Sequence, residues 1–139
     1  MKGNKTLTLI KPTAVKNNCL GKVMTIIGEH GFRVSAMVFT KLSREQAKEF
    51  YIVHKDRPFY DELVDYMISG PIVAAILEKE NAVEDYRKLI GSTNPKDANA
   101  GTIRKECGTS LQMNAVHGSD SDANAIIECD FFFSKKDRY

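Results

Sequence analysis

The sequence predicts an α+β fold of the ferredoxin-like kind: an antiparallel sheet in the order βαββαβ with helices on one face, carrying an inserted helical pair and a long loop. Three observations point there. Apolar residues switch along the chain between strand and helix periodicity; the strand-like segments are short and separated by helices; and no linker, repeat or low-complexity tract divides the 139 residues, so 1–139 reads as one domain.

The elements follow in order. "KTLTLIK", Lys5 to Lys11, alternates threonine with leucine as a half-buried strand does, and Pro12 ends that pairing and forces a loop or a helix start. From Cys19 to His30 the residues Leu20, Val23, Met24, Ile26 and Ile27 recur at helical spacing, with Gly31 suited to the C-terminal cap. "FRVSAMVFTKL" reads as a second strand. "SREQ", Ser43 to Gln46, is a capping box that opens a helix through Phe50 and Tyr51, and another helix runs from Phe59 to Ser69, stopped by Gly70-Pro71. "IVAAIL", Ile72 to Leu77, is apolar throughout, as a central strand is, and "NAVEDYRKLIG" is a helix capped by Asn81 and closed at Gly91. Ser92 to Met113 has little periodicity, and a connection of that length in a compact domain is usually functional. "ECDFFF" reads as the last strand.

Composition narrows the partners. A net charge of +2 is too mild for a nucleic-acid binder, and the strands lack the aromatic and basic motif of single-strand readers, so the ligand expected is small and anionic. Cys19, Cys107 and Cys129 are widely spaced and odd in number, which fits neither a disulfide framework nor a zinc site and suits a reducing cytoplasm. "MKGNKTLTLIKP" has no long apolar run before a cleavage site, and no stretch reaches the roughly 18 apolar residues of a membrane span, so neither export nor a membrane partner is expected.

The stretch "NAVHGSDS", Asn114 to Ser121, sets His117 before small polar residues that favour a loop, where side chains are held for use more often than for packing. A neutral imidazole attacks phosphorus well at physiological pH when a neighbour fixes its tautomer and cations neutralise the phosphate. Glu128 is placed to orient the ring, and Lys11, Arg87 and Arg104 lie at element ends where their side chains can converge. Spacing alone favours the plainer readings: Glu128 and Arg87 as solvated surface charges, Lys11 as a strand terminus, and His117 as a loop histidine bonded to backbone. His30 and His54 read as partners of solvent or helix carbonyls, and His117 with Asp120 is too small a set to close a metal shell. With no glycine-rich phosphate loop in the sequence, phosphate must be held by side chains. Phe59 and Leu63, one helical turn apart, form either an apolar slot for a flat ring or ordinary core.

"NAVHGSDS" resembles the N-x-x-H-G-S-D-S signature of nucleoside diphosphate kinases. The resemblance continues through "TLTLIKPTAV", "KDRPFYDELVDYMISGPIVAAIL", "LIGSTNPKDANAGTIR" and "FFF" with matching spacing, and so covers nearly the whole chain. It implies transfer of the γ-phosphate from a nucleoside triphosphate to a nucleoside diphosphate, in two ping-pong steps through a phosphohistidine, with Mg²⁺ carried by the nucleotide rather than by protein ligands. On that resemblance His117 is the nucleophile, Glu128 orients it and Ser119 hydrogen-bonds the carboxylate. Lys11, Tyr51 and Asn114 lie around the transferred phosphoryl and the ribose hydroxyls, and Arg87, Thr93 and Arg104 hold phosphates. Phe59 stacks on the base with Leu63 and Leu111 beside it, which implies little base selectivity. The resemblance also implies a homo-oligomer, a tetramer or a hexamer. Thr13 departs from the family, which usually has aspartate there; it is expected to cap the helix after Pro12, as aspartate would.

Overall fold

The computed structural model describes residues 3–109 and 113–139. Four strands form one antiparallel sheet: β1 (Lys5–Ile10), β2 (Arg33–Thr40), β3 (Ile72–Glu78) and β4 (Val116–Gly118), in the spatial order β2-β3-β1-β4. The helices between and after them are α1 (Pro12–Lys16), α2 (Leu20–Glu29), α3 (Arg44–Phe50), α4 (Tyr60–Met67), α5 (Ala82–Ile90), α6 (Ile103–Cys107) and α7 (Asp122–Phe132). This is the ferredoxin-like βαββαβ arrangement with α3 and α4 inserted before β3 and α7 added at the end.

Strand β3 explains the layering. All of Ile72 to Leu77 is buried: Val73, Ala75 and Leu77 join Val23 and Ile27 of α2 and Tyr86, Leu89 and Ile90 of α5, while Ile72, Ala74 and Ile76 join Val64 and Met67 of α4 and Cys129 of α7. Helices therefore cover both faces, where one covered face was expected. A strand apolar at every position cannot leave one side to water, so "IVAAIL" already contained the second layer. Strand β1 is inserted between β3 and β4, with Leu9 opposite Ala74 on one side and His117 on the other.

Other expectations need correction. "ECDFFF" is not a strand: its first five residues close α7, whose N-cap Ser121 accepts from Asn124 N–H at 3.1 Å. The fourth strand is instead the short β4, so His117 lies in a strand and Glu128 on a helix. The long connection from Ser92 contains a turn at Pro95–Asp97 and the helix α6. Asn81 does occupy the N-cap position of α5, but in left-handed conformation, with its amide donating to Glu84 at 3.2 Å rather than its side chain capping backbone. Thr13 is not a cap either, since Lys11 holds that position on α1 and makes no side-chain capping bond. The capping box at Ser43 and Gln46 forms with both reciprocal bonds. Cys19, at the N-cap of α2, and Cys107, at the end of α6, form a disulfide across 88 positions of sequence, while Cys129 is free and buried. Nothing in the local pattern of cysteines announces a bond that only the packing of α6 on α2 brings together. Among the described residues no helix is long and apolar enough to cross a membrane.

Candidate active site

Strand β4 orients the histidine. His117 lies directly opposite Leu9, and directly opposed residues of an antiparallel pair share a face, so His117 points to the side of Tyr51, Leu63 and α7. Gly118, opposite Thr8, faces α5, where a Cβ would come within 3.0 Å of the Tyr86 ring. The glycine of the "HGS" stretch is thus needed for close packing, and its φ is not in the left-handed region.

His117 Nε2 lies 2.8 Å from Glu128 Oε1. A carboxylate oxygen only accepts, so Nε2 carries the proton and Nδ1 keeps the lone pair. The same Oε1 accepts from the Ser119 hydroxyl at 2.7 Å, and Ser119 Oγ in turn accepts the Leu7 N–H at 3.2 Å. Glu128 falls on the inward side of α7 because Ala125 and Cys129, which are buried, flank it at helical spacing. The rings of Phe50 and Tyr51 meet the imidazole edge to face at 5.4 and 6.3 Å.

In front of His117 opens a cleft of about 650 Å³ lined by Lys11, Tyr51, His54, Phe59, Glu62, Leu63, Thr93, Arg104, Asn114 and His117. Lys11 is 7% exposed, with Nζ donating to Asn114 Oδ1 at 2.8 Å; the Asn114 amide donates onward to the Thr93 carbonyl at 3.0 Å. Burial, and then the charge of Arg104, lower the Lys11 pKa to about 7. Arg104 donates to the carbonyls of Gly91 and Val116, both at 3.1 Å, and its buried Nε has no partner among the described residues. Gly91 sits at φ 88°, which lets the chain leave α5 and turn that carbonyl to Arg104. Burial also lowers the Arg104 pKa, with Arg87 adding to the effect. No carboxylate pairs with Lys11 or Arg104 among the ion pairs of the described residues. Two such cations with no counter-charge make the inner end of the cleft a place for an anion.

Tyr51 adds a neutral donor. Burial above all, then the nearby Glu128 and Tyr66, raise its pKa beyond the ordinary phenol range, and its hydroxyl has no hydrogen-bond partner among the described residues. At the outer end Phe59, 44% exposed, stands one turn before the buried Leu63, so an accessible aromatic residue lies beside an apolar floor.

Of the residues singled out from sequence, Lys11, Tyr51, Phe59, Leu63, Thr93, Arg104, Asn114 and His117 line this cleft, with Glu128 and Ser119 immediately behind His117. Arg87 does not line it; it is exposed on α5, near Arg104. Leu111 lies outside the described residues. His54, read as facing solvent or helix carbonyls, belongs to the cleft instead, its ring 6.4 Å from Tyr51 and 5.4 Å from Phe59. Glu62 was not singled out. The signal for both was their closeness in sequence to Phe59. A smaller hollow of about 410 Å³ near His30, Phe32 and Lys79 contains none of the singled-out residues, and its Lys79 is paired with Asp85 at 2.8 Å.

Known proteins resemble this chain in sequence and in fold. The family model described as "Nucleoside diphosphate kinase" matches residues 4–138. A nucleoside diphosphate kinase of Lawsonia intracellularis is 56% identical over 133 residues, 96% of each chain. Among solved structures, the nucleoside diphosphate kinase of Aquifex aeolicus superposes with a TM-score of 0.96 at 40% identity, covering 98% of this chain and 99% of that one. That of Halobacterium salinarum, solved in complex with CDP, gives 0.94 at 32% identity over 99% and 92%. With a histidine held by a carboxylate at the mouth of an anion-seeking cleft, and with likeness running the length of the chain, this protein belongs to the nucleoside diphosphate kinase family and is an enzyme that transfers phosphate between nucleotides.

Proposed function

We propose that His117 takes the γ-phosphoryl group from a nucleoside triphosphate and passes it to a nucleoside diphosphate in two half-reactions at the same site. The observation that supports this best is the 2.8 Å bond between His117 Nε2 and Glu128, in a cleft lined by two cations, Lys11 and Arg104, that have no carboxylate partner among the described residues. In the first half-reaction the Nδ1 lone pair attacks the γ-phosphorus, and the bond to the β,γ-bridging oxygen breaks. The electron pair leaves with the nucleoside diphosphate. In the second, a terminal phosphate oxygen of another nucleoside diphosphate attacks the phosphorus, and the N–P electrons return to Nδ1. Phosphorylation at Nδ1 makes the ring cationic while Nε2 keeps its proton, and Glu128 stabilises that charge.

The remaining residues position and neutralise, which is most of what phosphoryl transfer asks of a protein. Lys11, Tyr51 and Asn114 serve the transferred phosphoryl and the ribose hydroxyls; Arg104 and Thr93 serve the phosphates, and Arg87, outside the cleft lining but near Arg104, adds positive charge there; Ser119 holds Glu128. Among the described residues no group of His, Cys, Asp or Glu is large enough to hold a metal, and the cleft presents cations where the phosphates would lie. Those donors fit Mg²⁺ carried by the nucleotide, where it would supply further charge neutralisation. Phe59 and Leu63 form the base slot, and stacking reads a face that every base has. The CDP bound by the Halobacterium salinarum relative suits such a slot.

The chain acts as one domain, 1–139, in a homo-oligomer, a tetramer or a hexamer. Exposed Met37 and Phe39 on the edge strand β2 and exposed Ile126 and Ile127 on α7 support association. Its partners are nucleoside di- and triphosphates, with neither a membrane nor a specific nucleic acid among them, and its place is the cytoplasm, where those nucleotides are and where the Cys19–Cys107 bond must withstand reducing conditions.

Incubation with ATP labelled at the γ-phosphate tests the reading. The protein is expected to gain an acid-labile, alkali-stable label that ADP, GDP or CDP removes, and His117→Ala is expected to gain none. A label that persists in His117→Ala, or one stable to acid, overturns it.

A further inference from the structure

Thr13 and Tyr66 do not line the cleft, yet they join its two walls. Thr13 is in the first turn of α1, just past Lys11. Tyr66 is in the last turn of α4, the helix that carries Leu63 and has Phe59 at its N-cap. Their side-chain hydroxyls share a hydrogen bond, and the Thr13 N–H approaches the same phenolic oxygen at 3.4 Å.

The helices α3 and α4 form a unit of their own. Arg44 pairs with Asp65 at 2.7 Å, and the Tyr60 hydroxyl donates to the Lys48 carbonyl at 2.8 Å. Leu63, Val64 and Met67 seat this unit on the sheet. Apolar packing is non-directional and fixes how deeply the pair sits, whereas a hydrogen bond has a length and an angle and fixes where along the sheet it sits. Thr13 to Tyr66 is a bond of that second kind, running from the inserted pair to the segment that carries Lys11. Tyr66 also lies close enough to Tyr51 to affect it electrostatically, so a shift of Tyr66 reaches the cleft through a second neighbour.

We propose that the Thr13–Tyr66 hydrogen bond is a positioning element for nucleotide binding, setting the span between the phosphate end of the cleft at Lys11 and the base slot at Phe59 and Leu63. Thr13 and Tyr66 touch no reacting atom; they act through the spacing of the groups that do. The inference rests on the nucleotide-binding reading of this cleft.

Thr13→Val keeps the branched shape and removes the oxygen; Thr13→Ser restores it. In Thr13→Val, KM for ATP is expected to rise about three- to tenfold, the effect of one hydrogen bond. At saturation kcat stays within about twofold, since the loss is one of binding. The KM of ribose 5-triphosphate, which has no base to place, stays unchanged. Thr13→Ser returns the KM for ATP to the wild-type value. Tyr66→Phe breaks the same bond from the other side and gives the same rise, and the double variant is no worse than either single one. Melting temperatures taken alongside separate binding from folding.

An unchanged KM for ATP in both Thr13→Val and Tyr66→Phe overturns the proposal, as does a lowered melting temperature with KM intact. An equal rise in KM for ATP and for ribose 5-triphosphate also overturns it. Wild-type protein that transfers no phosphate removes the functional reading itself, and is recognised before any variant is measured.

Discussion

Ser119 donates to Glu128 Oε1 at 2.7 Å while accepting the backbone N–H of Leu7 at 3.2 Å, so the carboxylate that meets His117 is anchored to the central strand β1. Ser119 is fully buried. Ser119→Ala therefore loosens Glu128 and leaves the Leu7 N–H without its side-chain acceptor, a loss of about 1–3 kcal/mol in stability. Chemical denaturation measures that loss. Single-turnover phosphorylation should slow in the order Ser119→Ala, Glu128→Ala, His117→Ala, from mild to complete. A Glu128→Ala variant as fast as wild type would remove the orienting role.

Lys11 makes nucleotide binding depend on pH. Its amine titrates at about 7 in the free protein, against 10.5 for an ordinary lysine. An anionic nucleotide favours the charged form, so binding at about pH 8 takes up a proton, and kcat/KM falls as pH rises through the free-protein value. Calorimetry in two buffers of different ionisation enthalpy counts that proton, and Lys11→Gln should abolish it. Stability has the opposite trend. Between about 7 and 10.5 the unfolded chain holds a proton that the folded chain has released, so stability rises with pH across that window. A denaturation midpoint that fell with pH there in the wild type, but not in Lys11→Gln, would contradict the assignment.

The sugar should matter more than the base. With Lys11 and Asn114 assigned to the ribose hydroxyls, the 3′-hydroxyl lies where it can stabilise charge growing on the departing phosphate. ATP, GTP and CTP are expected to phosphorylate His117 at rates within about two orders of magnitude, since stacking contributes roughly 1–3 kcal/mol and varies modestly among bases. Their 3′-deoxy counterparts should be far slower at saturation. Equal single-turnover rates for the two series would remove the role given to that hydroxyl.

The disulfide makes a claim about thiol count. Unfolded without reductant, the chain should show one reactive thiol, Cys129, whose pKa in the native protein burial raises to about 11. Reduction, or Cys19→Ser with Cys107→Ser, should lower stability by up to about 4.6 kcal/mol, the loop-closure effect for a link of this length. Three thiols in the unreduced, unfolded chain would contradict the bond.

Much of this was readable from residue order. Periodicity marked β1, α2, β2 and the α3–α4 pair, and "SREQ" announced a cap that forms as written. What was not legible had physical causes. "ECDFFF" is rich in the aromatic residues that favour strands, but α7 begins earlier, at the Ser121 cap. Ile126 and Ile127 point outward and blur its apolar stripe. The short β4 offers too few residues for any period to register. Most of the cleft residues were named beforehand, yet the burial of Lys11 beside Arg104, the unpaired Tyr51 hydroxyl and the Thr13–Tyr66 bond depend on elements far apart in sequence.

In a strand, the side to which a residue points is a question of odd and even. His117 faces the cleft because it is paired with Leu9, and its neighbours Val116 and Gly118 face the other way, toward α5. Ala115, at φ 79°, stands where the chain enters β4 and so sets the phase of that count. One residue added or lost at this point would turn the imidazole toward Tyr86 and away from Glu128, with every atom of the machinery still present. Parity, more than the shape of any loop, is the inheritance that lets this histidine react. A transplant of the site to another scaffold would have to carry the β1–β4 register along with the side chains.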